Sequence, residues 1–358
     1  MARNRLDPAI FRLPEVRIRE GYYSDAYFNF TKELLEAENR RPRVLMQVFQ
    51  KQDSLLGGID EAIAILRRCA GGYEDRQWVD GWDRLEVHAL HEADPIAPRE
   101  TVMTIEGDYA LFAHLETVYL GALARRTLVM RNVRAVVDAA GGKAILFMPA
   151  RHDHWLVQTG DGWAAHEAGA IGVSTDANAS WWGGRGVGTV PHALIAAYDG
   201  DTVAAARAFA RRYGATMNVT VLVDFENDST RTAVAVADAL GDDLWGVRLD
   251  TSESIVDLAL QRRSASEPGV NPELVRLVRQ ALDEAGHERV RIVASGGFTV
   301  AKIAEFEAQG VPVDAYGVGS SLFAGAFDFT ADIVHVDGAP VAKKGRRYRP
   351  NPRLGRVD

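Results

Sequence analysis

The chain contains 358 residues, of which 47% are hydrophobic and 25% are charged, a composition typical of a globular protein that buries a sizeable core. Its formal net charge is −8 and no basic tract dominates, which argues against nucleic acid as a partner. No apolar stretch approaches the ~20 residues that span a membrane, and Cys69 is the single cysteine, so we expect no membrane segment, no internal disulfide and a cytoplasmic location.

The first third of the sequence has the features of a small α/β domain. Residues 1–28 have no clear periodicity, and residues 31–39 form a helical pattern behind a threonine cap. An apolar strand pattern and a glycine-bounded helix, "GGIDEAIAILRRCAGG", follow. Short strand-like runs, interrupted by proline and glycine, continue to Tyr109. We therefore assign residues 1–111 to an N-terminal α/β domain.

A repeating pattern of apolar run, loop and helix fills the next part of the chain, after one long helical segment. Strands that alternate with helices of about 10–15 residues indicate βαβ units, and near-continuous apolar strands indicate a parallel sheet covered on both faces. The apolar runs are "KAILFMPA", "AGAIGVST", "GRGVGTV", "NVTVLVD", "LWGVRLD", "VRIVASG" and "VDAYGVGS". Residues 112–329 are therefore predicted to form a closed or nearly closed α/β barrel, with an open doubly wound sheet as the alternative. Residues 330–358 are expected to fold back on the first domain.

The carboxyl ends of the predicted strands carry most of the polar residues that could form a site. Functional sites of parallel α/β folds lie at these ends of the strands. Each residue alone could belong to an ordinary loop, but their joint placement predicts a site there. The residues that follow the runs are Arg151, His152, Asp153, His154, Ser174, Thr175, Asp176, Pro191, His192, Asp224, Asp250, Ser295, Gly296, Gly297, Ser320 and Ser321.

Two glycine-containing loops near the end of the barrel predict a phosphate site. Glycine lets backbone N–H groups approach a phosphate, and a helix that begins just afterwards adds its positive end. Barrels often bind phosphate with the loops after their last two strands. A tight turn between strand and helix is the alternative for either loop alone. The predicted phosphate-binding residues are Ser295, Gly296, Gly297, Gly317, Gly319 and Ser320.

Two carboxylates end neighbouring strands and could act on the same substrate. Asp224 and Asp250 are one βα unit apart, and such carboxylates hold Mg²⁺ or accept hydrogen bonds from ribose hydroxyls. The alternative is a helix N-cap, for which aspartate is well suited. Arg248 lies two residues before Asp250 and therefore on the same face of the strand. An ion pair between these two residues is the alternative to a role in binding.

Cationic and histidine side chains also lie at this end of the predicted barrel. Arg151 and His154 could bind a carboxylate or a pyrophosphate, since arginine is the preferred bidentate ligand of anions. A metal site at these residues lacks a complete ligand set in the sequence. A lone histidine is more often structural than catalytic, but His192 lies at a strand end in a loop that Pro191 makes rigid, which strengthens the case for catalysis.

In this order, the motifs resemble those of the nicotinate phosphoribosyltransferase family of type II phosphoribosyltransferases, and in particular its short form. The matching stretches span most of the chain: "SDAYF", "ARHDH", "GVGTVPHALI", "VLVDFEND", "GVRLDTSE", "VASGGFTVAKIAEFEAQGVPVDAYGVGSSL" and "TADIVHVDGAPVAKKGRRYRPNPRL". The resemblance implies an irregular α/β barrel with a smaller N-terminal α/β domain, in a homodimer or higher assembly whose sites use both subunits. It also implies that nicotinate and phosphoribosyl pyrophosphate are joined to nicotinate mononucleotide in NAD biosynthesis, with Mg²⁺ and with ATP as co-substrate.

The resemblance further implies a set of residues that bind the base. Tyr27 matches the aromatic residue that stacks on the pyridine ring from the neighbouring subunit. Arg151 matches an arginine near the ring and the pyrophosphate. The other residues of the predicted substrate-binding set are Met148, His154, Ser174 and Asp176.

The same resemblance implies how the ribose and the phosphates are handled. His192 matches a histidine that ATP phosphorylates, and Arg248 matches an arginine that contacts phosphate. Asp224 and Asp250 match acidic residues near the ribose and the Mg²⁺-pyrophosphate. The two glycine loops match those that bind the 5′-phosphate. Arginine and Mg²⁺ would stabilise the leaving pyrophosphate, while carboxylates fix the ribose hydroxyls.

Three residues depart from the family pattern or weaken its substrate assignment. The family reads Asp-Phe-Gly-Ala-Arg-Arg where this chain has "FMPARHDH", so Met148 replaces a ring-stacking phenylalanine and His152 replaces the second arginine. A methionine can still pack on a ring face. Asp176 resembles the carboxylate that favours the neutral amide in related nicotinamide phosphoribosyltransferases. Nicotinamide is therefore the alternative substrate, whereas quinolinate would need more cationic residues than the sequence offers.

Two other classes of function fit the sequence less well. A Schiff-base aldolase needs a lysine inside the barrel, but Lys143 begins its strand and Lys302 lies in a helix. A non-catalytic nucleotide-binding homologue is supported only by Met148 and His152. His192, Asp224 and Asp250 argue against this class, so phosphoribosyl transfer is the predicted function.

Overall fold

A computed structural model describes residues 4–358, which divide into two compact units. The first unit combines the described residues up to Arg131 with Gly325–Asp358, and the second is Asn132–Ala324. The predicted ranges 1–111, 112–329 and 330–358 put the first boundary before a long helix, whereas this division passes through that helix.

The helices and strands of the described residues follow one another in a mixed α/β order. The strands are β1 Arg43–Gln50, β2 Ser54–Leu55, β3 Gly71–Glu74, β4 Gln77–Asp80, β5 Glu86–Ala89, β6 Pro95–Ile96, β7 Thr101–Asp108, β8 Ala144–Phe147, β9 Gly172–Val173, β10 Val219–Leu222, β11 Leu244–Leu249, β12 Arg291–Ala294, β13 Ala315–Val318, β14 Phe329–Val336, β15 Ala339–Pro340 and β16 Gly355–Arg356. The α-helices are α1 Glu15–Arg19, α2 Ala26–Ala37, α3 Ile59–Cys69, α4 Glu116–Ala139, α5 Gln158–Glu167, α6 Asp176–Ala179, α7 His192–Ala197, α8 Thr202–Tyr213, α9 Ser229–Leu240, α10 Leu258–Gln261, α11 Pro272–Glu284 and α12 Val300–Ala308.

The first unit is built on a six-stranded sheet with the order β15-β14-β1-β7-β5-β16. Its strands are antiparallel, and β14 brings the C-terminal segment alongside β1, with Gln50 opposite Phe329 and Val44 opposite Val336. Helix α3 contributes a largely apolar buried face to the same core as β1 and β7. The pairing of β14 with β1 makes a sequence-distant segment part of this unit.

The N-terminal segment is more helical than the sequence pattern indicates. Helix α1 lies within the stretch that has no clear periodicity, and α2 begins at Ala26 rather than near residue 31. The side chain of Asn29 donates to the carbonyl of Gly21 at 2.9 Å and so fixes the turn between the two helices. Helix α2 has no buried residue, which explains why an apolar periodicity cannot reveal where it begins.

The second unit is a curled parallel sheet with the order β10-β11-β12-β13-β8-β9. Strands β10, β12 and β13 are almost entirely buried, as the near-continuous apolar runs predict. Six of the seven predicted runs form these six strands. The sheet therefore places the loops after the strands at one common end.

The seventh run closes the sheet into a ring. We call residues 187–190 the closing segment. The N–H of Val187 donates to the carbonyl of Val173 on β9 at 2.7 Å, and the N–H of Val190 donates to the carbonyl of Thr220 on β10 at 2.8 Å. These bonds connect β9 and β10, the two edge strands of the sheet, through the closing segment that lies between them in the sequence. The prediction of an irregular α/β barrel is thus confirmed, and the open doubly wound alternative is wrong.

Helix α4 is a continuous helix of 24 residues from Glu116 to Ala139. It carries several arginines, Arg125, Arg126, Arg131 and Arg134 among them. Across residues 4–358, no helix is both long and apolar enough to cross a membrane.

Candidate active site

A cavity of about 860 Å³ opens at the carboxyl ends of the barrel strands, entirely among residues of the second unit. Its walls are the loops that follow β8, β9, β11, β12 and β13, together with the closing segment and the start of α7. The polar and glycine residues of these walls are Arg151, His152, Ser174, Gly188, Thr189, His192, Arg248, Asp250, Ser295, Gly296, Gly297, Thr299, Gly317, Gly319, Ser320 and Ser321. The cavity therefore brings together most of the residues predicted from the sequence.

The loop after β12 has the geometry of an anion-binding turn. Gly296 and Gly297 have φ angles of +87° and +70°, a left-handed conformation that favours glycine. Thr299 caps α12 by accepting a hydrogen bond from the N–H of Lys302. The hydroxyl of Ser321 donates to the carbonyl of Phe298 at 2.8 Å and ties this loop to the one after β13. The two loops thus form one cradle in front of a helix N-terminus, as a phosphate site requires.

The glycines after β13 make room for side chains of the loop after β8. A Cβ atom at Gly317 would lie 2.9 Å from Sδ of Met148, and one at Gly319 would lie 3.2 Å from Cε1 of His152. Neither glycine has a positive φ angle. Their small size therefore allows Met148 and His152 to pack closely against the backbone of this loop.

Arg248, Asp250 and Ser295 form a connected network on the cavity wall. Nε of Arg248 donates to Oγ of Ser295 at 2.7 Å. The Ser295 hydroxyl in turn donates to Oδ1 of Asp250 at 2.7 Å. Nη2 of Arg248 also lies 3.3 Å from Oδ2 of Asp250. Ser295 is buried, and its hydroxyl contacts both charged residues. The ion pair and the cavity-wall position, both considered from the sequence, occur together.

His192 and Asp224 form a second charged pair. Nε2 of His192 lies 3.0 Å from Oδ1 of Asp224. The Asp224 side chain is 6% exposed and that of His192 is 42% exposed, so the carboxylate stands behind the ring and the ring reaches the cavity. Burial raises the pKa of Asp224, although the adjacent His192 opposes that rise. Asp224 is suited to orient His192.

Arg151 and His152 are side chains of the wall that have no partner among the described residues. Neither side chain has a hydrogen bond or an ion pair to any residue in 4–358. Arg248 is paired with Asp250, and His192 is paired with Asp224. Both side chains are exposed and are therefore available to an anionic ligand in this cavity.

Besides Asp224, which lies behind His192, three predicted site residues lie outside the cavity wall. Tyr27 belongs to the first unit, where it is 59% exposed on α2. The ring of His154 accepts from the N–H of Leu156 and stacks on Trp155. Oδ1 of Asp176 accepts from the N–H of Gly186 at 2.8 Å, so this carboxylate fixes the loop before the closing segment.

The cavity also contains residues that were not predicted to act. Oγ1 of Thr189 lies 3.5 Å from Nη1 of Arg248, and Thr299 lines the cavity beside the glycine turn. Thr189 directly follows the glycine-rich run "GRGVG", which was a usable signal for a residue at the cavity mouth. His152 follows β8 at the strand end where the sequence predicts a site, but no role in binding is assigned to it there.

The carboxylates fit Mg²⁺ only as partners of a bound phosphate. Within residues 4–358, no group of three or more His, Cys, Asp or Glu side chains could hold a metal ion. Mg²⁺ usually binds proteins through one or two carboxylates together with substrate phosphates. Asp250 is the one carboxylate among the described residues of the cavity wall and fits that role, whereas Asp224 is engaged by His192.

Comparison with known sequences finds one family model and several curated relatives. The family model for "Quinolinate phosphoribosyl transferase, N-terminal domain" matches residues 25–127. Nicotinate phosphoribosyltransferase pncB1 of Mycobacterium tuberculosis is 32% identical over 278 residues, which is 75% of this chain and 57% of that protein. Nicotinate phosphoribosyltransferase of Bacillus subtilis is 25% identical over 66% of this chain and 45% of its own length. The chain thus spans about half the length of these relatives.

Solved structures extend the similarity over the whole chain. The nicotinate-nucleotide pyrophosphorylase of Pyrococcus furiosus has a TM-score of 0.80 and 32% identity, and the match covers 100% of this chain and 86% of that one. Human nicotinic acid phosphoribosyltransferase shares the fold, with a TM-score of 0.67 and 18% identity over 89% of this chain and 76% of that chain. Taken with the relatives above, these matches show that the chain belongs to the nicotinate phosphoribosyltransferase family.

Proposed function

We propose that this protein is a nicotinate phosphoribosyltransferase of NAD biosynthesis and salvage. It would join nicotinate to phosphoribosyl pyrophosphate and release nicotinate mononucleotide and pyrophosphate. The observation that carries the proposal is the composition of one cavity. On one side lies the cradle, whose two loops are connected by the hydrogen bond from Ser321 to Phe298, and on another side lie the unpaired Arg151 and His152. This arrangement suits a substrate with anionic groups at both ends, and the family membership of the chain supports it.

The reaction is a displacement at the anomeric carbon of the ribose. The ring nitrogen of nicotinate forms a bond to that carbon while the bond to pyrophosphate breaks, and the bonding electron pair leaves with the pyrophosphate. Positive charge develops on the ribose, and negative charge develops on the leaving group. Arg248 and Arg151 stabilise the negative charge, and Asp250 accepts hydrogen bonds from the ribose hydroxyls. The cradle holds the 5′-phosphate and so positions the anomeric carbon.

The charges of the cavity favour nicotinate over nicotinamide. A carboxylate facing the base would repel nicotinate, but Asp176 is engaged by the N–H of Gly186 and is not part of the cavity wall. Arg151 has no counter-ion among the described residues and is available to a ring carboxylate. Met148 offers its thioether to the face of the ring.

We further propose that Mg²⁺ and ATP take part. Mg²⁺, when bound, would neutralise the pyrophosphate, with Asp250 as its protein ligand. His192 is the residue proposed to accept the γ-phosphoryl group of ATP, with ADP as the leaving group. Because Asp224 lies at Nε2, Nδ1 is the nitrogen left for this transfer. Hydrolysis of the phosphohistidine would then return the enzyme to its starting state.

The proposed assembly is a homodimer or a higher oligomer with shared sites. Tyr27 is exposed on α2, so its ring is available to stack on a base bound by another subunit. The proposed location is the cytoplasm, where a buried free thiol such as Cys69 stays reduced.

Product analysis with three bases tests the proposal. Purified protein is incubated with phosphoribosyl pyrophosphate, Mg²⁺ and ATP, and with nicotinate, nicotinamide or quinolinate in parallel. We expect nicotinate mononucleotide from nicotinate and little product from the other two bases. Quinolinate is included because the matched N-terminal family model carries its name. No product from any base would reject an enzyme of this class and favour a non-catalytic homologue.

A further inference from the structure

We propose that His152 forms a third side of the phosphate cradle and donates a hydrogen bond from its imidazole to the 5′-phosphate of the ribosyl substrate. This inference rests on the proposed function, because it assigns a ligand of the same site. It makes a residue that departs from the family pattern part of the binding machinery.

The first argument is position. His152 lies on the cavity wall, and its ring packs on the loop after β13. A Cβ atom at Gly319 would come within 3.2 Å of Cε1 and 3.7 Å of Nδ1 of the ring. Gly319 directly precedes Ser320 and Ser321, and Ser321 ties this loop to the carbonyl of Phe298. The imidazole therefore lies beside the loop after β13, which Ser321 ties to the loop after β12.

The second argument is hydrogen-bonding capacity. The cradle otherwise offers backbone N–H groups, the hydroxyls of Thr299, Ser320 and Ser321, and the positive end of α12. Arg248 is directed to Ser295 and Asp250, as the distances above show. His152 has no partner among the described residues, and its ring nitrogens remain available to a ligand. A phosphate bound there would accept hydrogen bonds from three sides: from the N-terminus of α12, from the hydroxyls of the cradle and from the imidazole of His152.

The third argument is chemical discrimination within the cavity. Arg151 precedes His152 and also lacks a partner in the described part of the chain. Arginine matches the two oxygens of a planar carboxylate, while a single imidazole N–H suits one phosphate oxygen. The two neighbours thus divide the anionic groups, with Arg151 at the base and pyrophosphate and His152 at the 5′-phosphate.

The test compares ligands with and without the 5′-phosphate. Calorimetry on the full chain measures the binding of nicotinate mononucleotide and of nicotinate riboside, which lacks that phosphate. His152→Phe keeps a ring on Gly319 but removes the donor, and His152→Arg keeps a donor. His287→Gln is the matched control, because His287 lies before β12, at the opposite end of the strand from the cavity.

We expect His152→Phe to weaken mononucleotide binding by about 10- to 100-fold, the size of one lost hydrogen bond to a charged group. The affinity of His152→Phe for the riboside should stay within about threefold of the wild-type affinity. His152→Arg should restore most of the affinity for the mononucleotide. Equal losses for both ligands, or wild-type binding of the mononucleotide by His152→Phe, would overturn the assignment.

The proposed function can fail separately. A wild-type protein that binds neither ligand and forms no product would reject the proposed substrates. Titration with inorganic phosphate then decides the role of His152, because this probe needs no nicotinate chemistry. Weaker phosphate binding by His152→Phe than by wild type and His287→Gln supports the inference, and equal binding or no binding overturns it.

Discussion

Nε2 of His192 lies 3.0 Å from Oδ1 of Asp224, and the two residues come from adjacent positions in the barrel ring. The carboxylate is buried, whereas the ring reaches the cavity. A buried carboxylate fixes both the orientation and the tautomer of the imidazole that it contacts. Asp224 therefore prepares His192 for the phosphoryl transfer proposed above.

His192→Ala should abolish ATP coupling and leave slow turnover that does not need ATP. The base, ribose and phosphate contacts remain in this variant, but the phosphoryl acceptor is gone. The measurement is ADP release alongside mononucleotide formation in the same reaction. Unchanged ATP consumption would remove His192 from the mechanism.

Ser295→Ala should lower kcat/KM by about 10-fold or more, because Arg248 and Asp250 lose the hydroxyl that both contact at 2.7 Å. Steady-state kinetics with varied phosphoribosyl pyrophosphate measures the change. The exposed Ser266→Ala is the matched control and should behave as the wild type. Equal kinetics of the two variants would show that the hydroxyl is dispensable.

Asp176→Asn should leave the preference between nicotinate and nicotinamide unchanged. The asparagine oxygen can still accept from the N–H of Gly186, and the carboxylate it replaces does not line the cavity. The ratio of kcat/KM for the two bases is the quantity to measure. A gain of about tenfold or more for nicotinate would place the carboxylate next to the base after all.

Glu116→Gln should stabilise the protein above neutral pH. Burial, and then Asp332 and Asp25, raise the pKa of Glu116 from 4.5 to about 7. A carboxyl group with a raised pKa contributes stability below its unfolded pKa, and that stability is lost as the pH rises through the folded value. At pH 8 we expect a gain on the order of 2 kcal/mol in the free energy of unfolding, a figure reduced for partial exposure, and no gain near pH 4.5.

Denaturant unfolding at pH 8 and at pH 5 checks the Glu116 prediction. Glu33→Gln, an exposed change on α2, is the control for replacing a glutamate. The same stability difference at both pH values would contradict the assigned cause.

Gly162→Ala should destabilise the barrel, whereas Gly121→Ala should not. Both glycines lie inside α-helices, α5 and α4. A Cβ atom at Gly162 would lie 2.2 Å from the carbonyl oxygen of Asn178, but one at Gly121 would meet nothing within 4 Å. We expect a loss of about 2 kcal/mol or more at Gly162 and a gain of up to about 1 kcal/mol at Gly121. Similar melting temperatures for the two variants would contradict the packing argument.

Much of the barrel could be predicted because each strand is a short apolar run followed by a polar residue. Burial on both faces requires such runs, and the carboxyl ends of parallel strands meet at one end of the barrel. Arg248, Asp250 and Ser295 are therefore predictable as neighbours from the sequence alone. The hydrogen bonds of Ser295 with Arg248 and Asp250 could not be predicted, because they depend on side-chain orientation.

Other features escaped prediction for equally physical reasons. Helix α2 buries no residue, so no apolar period marks its start. The contact of Asp176 with Gly186 depends on the path of a glycine-rich loop that sequence spacing does not determine. The packing of His152 on Gly319 joins residues far apart in the chain, and no local pattern connects them.

The closing segment makes one side of the barrel different from the others. Between β11 and β12 a continuous ladder holds the strands, but Val187 and Val190 supply isolated bonds to β9 and β10. The barrel therefore has a seam, and local opening begins where the fewest bonds must break. Because Thr189 lies on that seam and His192 follows it, we expect local opening there to alter the cavity mouth more than the cradle after β12 and β13. A ligand could then enter and leave by motion at the seam that leaves the proposed phosphate cradle intact.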